Sequence, residues 1–133
     1  MKNDIKVLII DDESDAQELI LGLLREYYPG IEVVATSVNI DDAFELIKKE
    51  KPNLLYLDIN LPRGSGINLL ERFPVRKFEV IVVSGYPDNR YKLKRFHDIP
   101  LLEKPFTIED FKKLTDEKIE SVQNDPYKVH RYM

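Results

Sequence analysis

Leu54-Leu55-Tyr56-Leu57-Asp58-Ile59-Asn60-Leu61-Pro62-Arg63-Gly64-Ser65-Gly66 is a short apolar run that stops at a carboxylate and passes into a loop punctuated by Pro and Gly. A run of that length, bounded by turn residues, reads as a strand covered on both faces. Three other runs share the design. Val7 to Ile10 ends in Asp11-Asp12, Val80 to Val83 ends in Ser84, and Leu101-Leu102 ends in Glu103-Lys104-Pro105. As parallel strands of one sheet, all four deliver their polar residues to the carboxyl edge, where open α/β sheets place ligand sites. That edge gathers the carboxylates of Asp11, Asp12 and Asp58, the hydroxyl of Ser84 and the ammonium of Lys104. Such a set suits a divalent cation together with a phosphoryl group.

Helical patterns lie between the runs. Residues 15–28 place Leu19, Ile20, Leu23, Leu24 and Tyr27 on one stripe, with Ser14 as N-cap and Pro29-Gly30 as the stop. Strand 32–36 precedes helix 42–50, which turns Ala43, Phe44, Leu46 and Ile47 inward. A third helix is expected over 67–73 and a weak fourth over 91–96, after the turn Gly85-Tyr86-Pro87. A short fifth strand covers 99–102. Thr107, supported by Asp110, caps a last helix with the stripe Phe111, Leu114, Ile119 and Val122. Five strands alternating with five helices predict a flavodoxin-like, doubly wound (βα)5 domain with a five-stranded parallel sheet in the order 2-1-3-4-5. The domain is expected over residues 4–121. Residues 122–133 lose periodicity and read as a C-terminal tail, His130 among them.

The chain has 133 residues, 43% hydrophobic and 33% charged, which suits one compact soluble domain. A net charge of −4 argues against a broad nucleic-acid surface, and the lack of cysteine excludes disulfides and thiolate metal sites. With two histidines at unsuitable spacing, zinc is disfavoured. No run reaches the roughly 18 apolar residues of a membrane span. Met1-Lys2-Asn3-Asp4 leads straight into a strand without a signal-like segment, so a cytoplasmic location is expected.

In the order 2-1-3-4-5 the first and third strands are neighbours, so Asp11, Asp12 and Asp58 converge. Two carboxylates about 5 Å apart repel by roughly 3 kcal/mol at an effective dielectric of about 20. Three therefore call for protonation or a cation. Lys104 supplies one charge, and Mg²⁺, which favours carboxylates, waters and phosphate oxygens, suits the rest. A carboxylate beside two cations can attack phosphorus to give an aspartyl phosphate, with Ser84 donating to a phosphoryl oxygen.

Asp11-Asp12, Asp58, Ser84 and Lys104-Pro105, with Leu61-Pro62 and Ser65-Gly66 after the central Asp, resemble the receiver domain of two-component response regulators over roughly residues 4–120. The resemblance implies Asp58 as phosphoacceptor, Ser84 as switch hydroxyl and Lys104 as phosphoryl contact. It implies Mg²⁺ on Asp12, Asp58 and the backbone carbonyl of Asn60, with Asp11 acting mainly through water, and a cis Lys104–Pro105 bond. A sensor histidine kinase or histidine phosphotransfer protein would donate the phosphoryl group. A downstream protein would meet the face formed by the fourth helix, fifth strand and fifth helix, and a homodimer is compatible with this reading. Basic residues Arg90, Lys92, Lys94 and Arg95 lie in that region.

Two positions depart from the receiver pattern. Leu101 stands where receivers commonly carry Tyr or Phe, and Gly85 stands in place of the usual Ala after the switch hydroxyl, which leaves the phosphoryl group more open to water. Tyr86 either gates Asp58 or covers the turn.

Three rival readings exist. A haloacid-dehalogenase-type phosphatase needs a second Asp two residues after the nucleophile, whereas this chain has Asn60, and an amide cannot shuttle a proton. A degenerate receiver acting only as a binding module is favoured by Leu101 and opposed by the complete acidic set. Finally, residues 25–34 (REYYPGIEVV) resemble receivers attached to LytTR-type DNA-binding domains, so the chain fits a receiver fragment of a transcription regulator. It carries no DNA-binding module itself, and the domain is expected to signal rather than act as an enzyme.

Overall fold

Strand β1 (Lys6–Ile10) is an interior strand of the main sheet, paired in parallel on both sides. The computed structural model describes residues 5–86 and 89–131, with side chains of Asn89 and Arg90 excepted. The expectations placed on residues 1–4, on Pro87 and on the Arg90 side chain fall outside them.

After β1 come α1 (Ser14–Tyr27), β2 (Glu32–Ser37), α2 (Ile40–Glu50), β3 (Leu54–Leu57), β4 (Asn60–Leu61) and β5 (Gly64–Ser65). Then follow α3 (Gly66–Glu71), β6 (Val75–Arg76), β7 (Glu79–Ser84), α4 (Asn89–Lys92), β8 (Leu101–Glu103), α5 (Ile108–Asn124) and β9 (His130–Arg131). The main sheet is parallel in the order β2-β1-β3-β7-β8. Counting its five strands alone, this is the expected 2-1-3-4-5. The doubly wound α/β fold stands as read from the sequence.

Strand alternation divides the core into two layers, because successive side chains point to opposite faces. Leu8, Ile10, Leu55, Leu57, Val80 and Val82 face the side covered by α2 and α3, joined there by Phe96 and Ile99. Val7, Ile9, Leu54, Tyr56, Ile81 and Val83 face α1 and α5, against Ile20, Leu24, Phe111 and Ile119. All four residues of β3 are buried, as its unbroken apolar run requires. Tyr56 is tolerated there because its hydroxyl lies 2.7 Å from Thr115 Oγ1 and its ring stacks on Phe111.

Several local expectations shift. Glu13, not Ser14, takes the N-cap of α1, and Leu19 is 53% exposed rather than inward. Thr107 caps α5 as expected, accepting from the Asp110 N–H at 3.0 Å. Helix α4 is one turn at Asn89–Lys92, while the apolar residues that suggested a later helix, Leu93 and Phe96, anchor the following turns. Residues 60–65 form a two-stranded hairpin turned by Arg63 (φ 61°) and Gly64 (φ 147°). The largest difference lies beyond residue 121. There α5 continues to Asn124, and His130–Arg131 pairs antiparallel with Val75–Arg76. The segment expected to be a tail returns to the body, because His130 finds the buried Glu79 and the partly buried Asp98 as carboxylate partners, which no local periodicity announces.

Candidate functional site

Each strand that ends in a polar residue brings it to the same edge. The Asp11 N–H donates to Ser37 O (3.0 Å) and the Asp58 N–H to Ile10 O (2.9 Å), so both carboxylates leave the sheet as its ladder ends. Asp11 is 2% exposed and its Oδ1 accepts from the Glu13 N–H at 2.9 Å. Asp58 is also buried, and its Oδ1 accepts from the Asn60 N–H at 3.0 Å, which fixes its rotamer. Gly66 makes this position possible: a Cβ there would lie 2.6 Å from Asp58 O. The Gly66 N–H donates to Ile59 O at 2.8 Å, closing the loop beneath the carboxylate.

Ser84 and Lys104 come from neighbouring strands. The Lys104 N–H donates to Ser84 O at 2.8 Å, and the Lys104–Pro105 peptide is cis. Ser84 is fully buried, with its Oγ 3.5 Å from Asn60 Oδ1 and accepting from the Tyr86 N–H at 3.2 Å. The Lys104 ammonium lies 3.1 Å from Asp11 Oδ2, 3.7 Å from Asp58 Oδ2 and 3.8 Å from Glu13 Oε1. Asp12 is exposed at the rim. Carboxylate oxygens of Asp11, Asp12, Glu13 and Asp58 all lie within 4.8 Å of one another.

The electrostatics follow from this crowding. Burial pushes the Asp58 carboxyl above its ordinary range; the Asn60 N–H and Lys104 oppose that, while Asp11 and Asp12 reinforce it. Burial works against the Lys104 ammonium, but Asp11, Asp58 and Glu13 outweigh it and hold its pKa above the usual value. One lysine therefore does not fully relieve the acidic group. An all-oxygen set with two exposed members is what a hard divalent cation takes, and it lacks the nitrogen or sulfur donors zinc prefers.

The structure thus brings together Asp11, Asp12, Asp58, Asn60, Ser84 and Lys104. Sequence reading missed Glu13 as a member of the acidic group and Gln17, whose Nε2 donates to Asp11 O (2.7 Å) and Ser37 O (3.0 Å). Glu13 was legible as the third acid of Asp11-Asp12-Glu13, whereas Gln17 carried no signal because its partners are backbone atoms. Tyr86 is 62% exposed. Leu101 pairs with Val82 and packs, half-buried, against the α2–α3 side of the core.

An open parallel α/β sheet with an acidic pocket and a lysine at its carboxyl edge defines a phosphoryl-handling domain class. The sequence profile of the response regulator receiver domain matches residues 7–116, and the chain belongs to that family, a family of signalling domains. It is 29% identical over 96% of its length to the sensory transduction protein LytT of Bacillus subtilis, of which it spans 56%. It is 37% identical over 76% of its length to protein-glutamate methylesterase/protein-glutamine glutaminase 2 of Syntrophomonas wolfei, of which it spans 30%. Among solved structures, the REC domain of AraT, a response regulator from Geobacillus stearothermophilus, superposes with a TM-score of 0.78 at 25% identity, covering 92% of this chain and 98% of that one. The chain thus spans about half or less of these curated relatives. Among the described residues, no helix is long and apolar enough to cross a membrane.

Proposed function

We propose that Asp58 accepts a phosphoryl group from a histidine kinase or histidine phosphotransfer protein and that the phosphorylated domain changes its binding to a downstream protein. The observation that carries this reading is the Lys104 ammonium, held 3.1 Å from Asp11 and 3.7 Å from Asp58 in a half-buried pocket. In this reading an Asp58 carboxylate oxygen forms the new O–P bond as the donor's bond to phosphorus breaks, the electron pair leaving with the donor. Lys104 offsets charge on the transferring group, and Ser84 Oγ donates to one of its oxygens. Asp12, Asp58 and the Asn60 carbonyl would hold Mg²⁺, with Asp11 acting through water. Bound there, the ion supplies charge neutralisation at the phosphoryl oxygens.

The experiment is incubation with acetyl phosphate and Mg²⁺, followed by intact-mass measurement. One phosphoryl adduct, absent in Asp58→Asn and without Mg²⁺, is expected. No adduct at any Mg²⁺ or donor concentration overturns the reading in favour of a binding-only module. Steady turnover of phosphate esters would instead indicate an enzyme.

A further inference from the structure

At the sheet edge opposite the acidic pocket lies a second ion cluster, built around His130. Its Nε2 is 2.6 Å from Glu79 Oε2 and its Nδ1 is 3.1 Å from Asp98 Oδ2, with the ring buried. Lys118 donates to Glu79 Oε1 at 3.0 Å and to Asp98 O at 2.6 Å, and Ser121 Oγ donates to Glu79 Oε2 at 3.3 Å. Arg76, whose side chain is fully buried, pairs with Asp98 and donates to Phe78 O. Two built-in cations already balance the two carboxylates, so the group suits an imidazole better than a metal ion.

This arrangement makes the docking of the last segment reversible. Each strand of the β6–β9 pairing has only two residues, too few to be stable alone. Tyr127 is 87% exposed and Val129 36%, so the segment buries little apolar surface of its own. Among the described residues of the segment, His130 is the one whose side chain is buried. When that ring leaves, Glu79 keeps Lys118 and Ser121 and Asp98 keeps Arg76, so no buried charge is stranded. A low-stability unit with two electrostatically acceptable positions is the requirement for a switch element.

The cluster also sits at the start of the strands that matter. Glu79 opens β7, which ends at Ser84, and Asp98 lies just before β8, which runs to Glu103 and leads into Lys104. We propose that residues 125–131 form a latch coupled to the phosphoryl site, with His130 pinning the near ends of the two strands whose far ends position Ser84 and Lys104. The proposal rests on the reading of Asp58 as phosphoacceptor and adds a route for its signal that needs no aromatic ring at Leu101. Phosphorylation draws Ser84 and Lys104 toward the new group. Their strands are packed on both faces, so the shift reaches Glu79 and Asp98 and spoils a two-sided grip already at hydrogen-bond distance. The phosphorylated state therefore loosens the latch. By reciprocity, a lost latch favours the phosphorylated state.

The test is backbone amide exchange on the intact chain, with and without Mg²⁺ and beryllium fluoride, a mimic of the phosphoryl group. Amides of residues 75–76 and 129–131 are expected to exchange about fivefold faster with the mimic bound, and His130→Ala to bind the mimic about fivefold more tightly. His130→Gln, which keeps one donor, should fall between. Unchanged or slowed exchange at those amides while Asp58 forms its adduct overturns the latch and leaves the receiver reading standing. Equal mimic affinity in wild type and both variants does the same. Failure to form any adduct with mimic or acetyl phosphate removes the receiver reading, and the latch falls with it.

Discussion

Two glycines and one aspartate set what the pocket can do at the scale of single residues. Gly66 has no room for a side chain, since a Cβ would lie 2.6 Å from Asp58 O and 3.0 Å from Leu57 Cγ. Gly66→Ala should destabilise the fold by about 1–3 kcal/mol and displace Asp58. Urea unfolding and the yield of phosphoryl adduct check both effects, and an unchanged midpoint contradicts the assigned close approach. Gly85 is different: among the described residues, a Cβ there meets only Lys104 Cβ, at 3.8 Å, an ordinary contact. Gly85→Ala should therefore fold normally and shield the phosphoryl group from water, lengthening its half-life a few-fold. A shorter half-life counts against the idea that Gly85 leaves the group open. Asp58 itself carries a cost before any phosphoryl group arrives, because burial and the neighbouring Asp11 and Asp12 disfavour its charge. Asp58→Asn in metal-free buffer at neutral pH should stabilise the domain by about 1 kcal/mol, raising Tm by roughly 3–5 °C. A calorimetric scan showing a lower Tm contradicts this account of the pocket's electrostatics.

At the scale of elements, what could be read in the sequence depended on whether the signal was local. Strand β3 and its loop were legible because burial on both faces demands an unbroken apolar run and the turn demands Gly. The cap of α5 was legible for the same reason: Thr107 accepts from Asp110 three residues on, within one turn. Thr107→Ala should cost about 1 kcal/mol, seen as a lower urea midpoint with an unchanged slope. Helix α4 was misplaced because its apolar residues Leu93 and Phe96 serve the core from turns after the helix, a tertiary demand that imitates helical spacing. Pairing of β9 with β6 was invisible, since two residues carry no periodicity and their partners lie far upstream, Val75 with Arg131 being 56 and Arg76 with His130 being 54 apart. The acidic pocket, by contrast, could be assembled from the sequence alone once the strands were taken as parallel, because parallel order by itself puts Asp11, Asp58, Ser84 and Lys104 at one edge.

Across the whole molecule, the sheet separates two charged edges with opposite electrical problems. The carboxyl edge holds more acid than its lysine relieves, whereas the amino edge is saturated with cations, and this difference should show in the response to pH. Burial would push the Glu79 carboxyl up, but His130 and Lys118 outweigh it and hold its pKa down to about 2. A carboxylate with a depressed native pKa stabilises the fold fully above its unfolded value, about 4.3, and that contribution is lost as pH falls toward the native value. The wild-type urea midpoint should therefore drop steeply between about pH 5 and pH 2. Glu79→Gln should lose about 2 kcal/mol at neutral pH, where it leaves Lys118 and His130 without their shared anion. Its midpoint should then change less than the wild type's over the acid range, bringing the two proteins together near pH 2. Parallel curves that keep their separation down to the lowest pH would mean that Glu79 packs rather than pairs. The amino-edge cluster would then lose its standing as the charged anchor of the C-terminal segment.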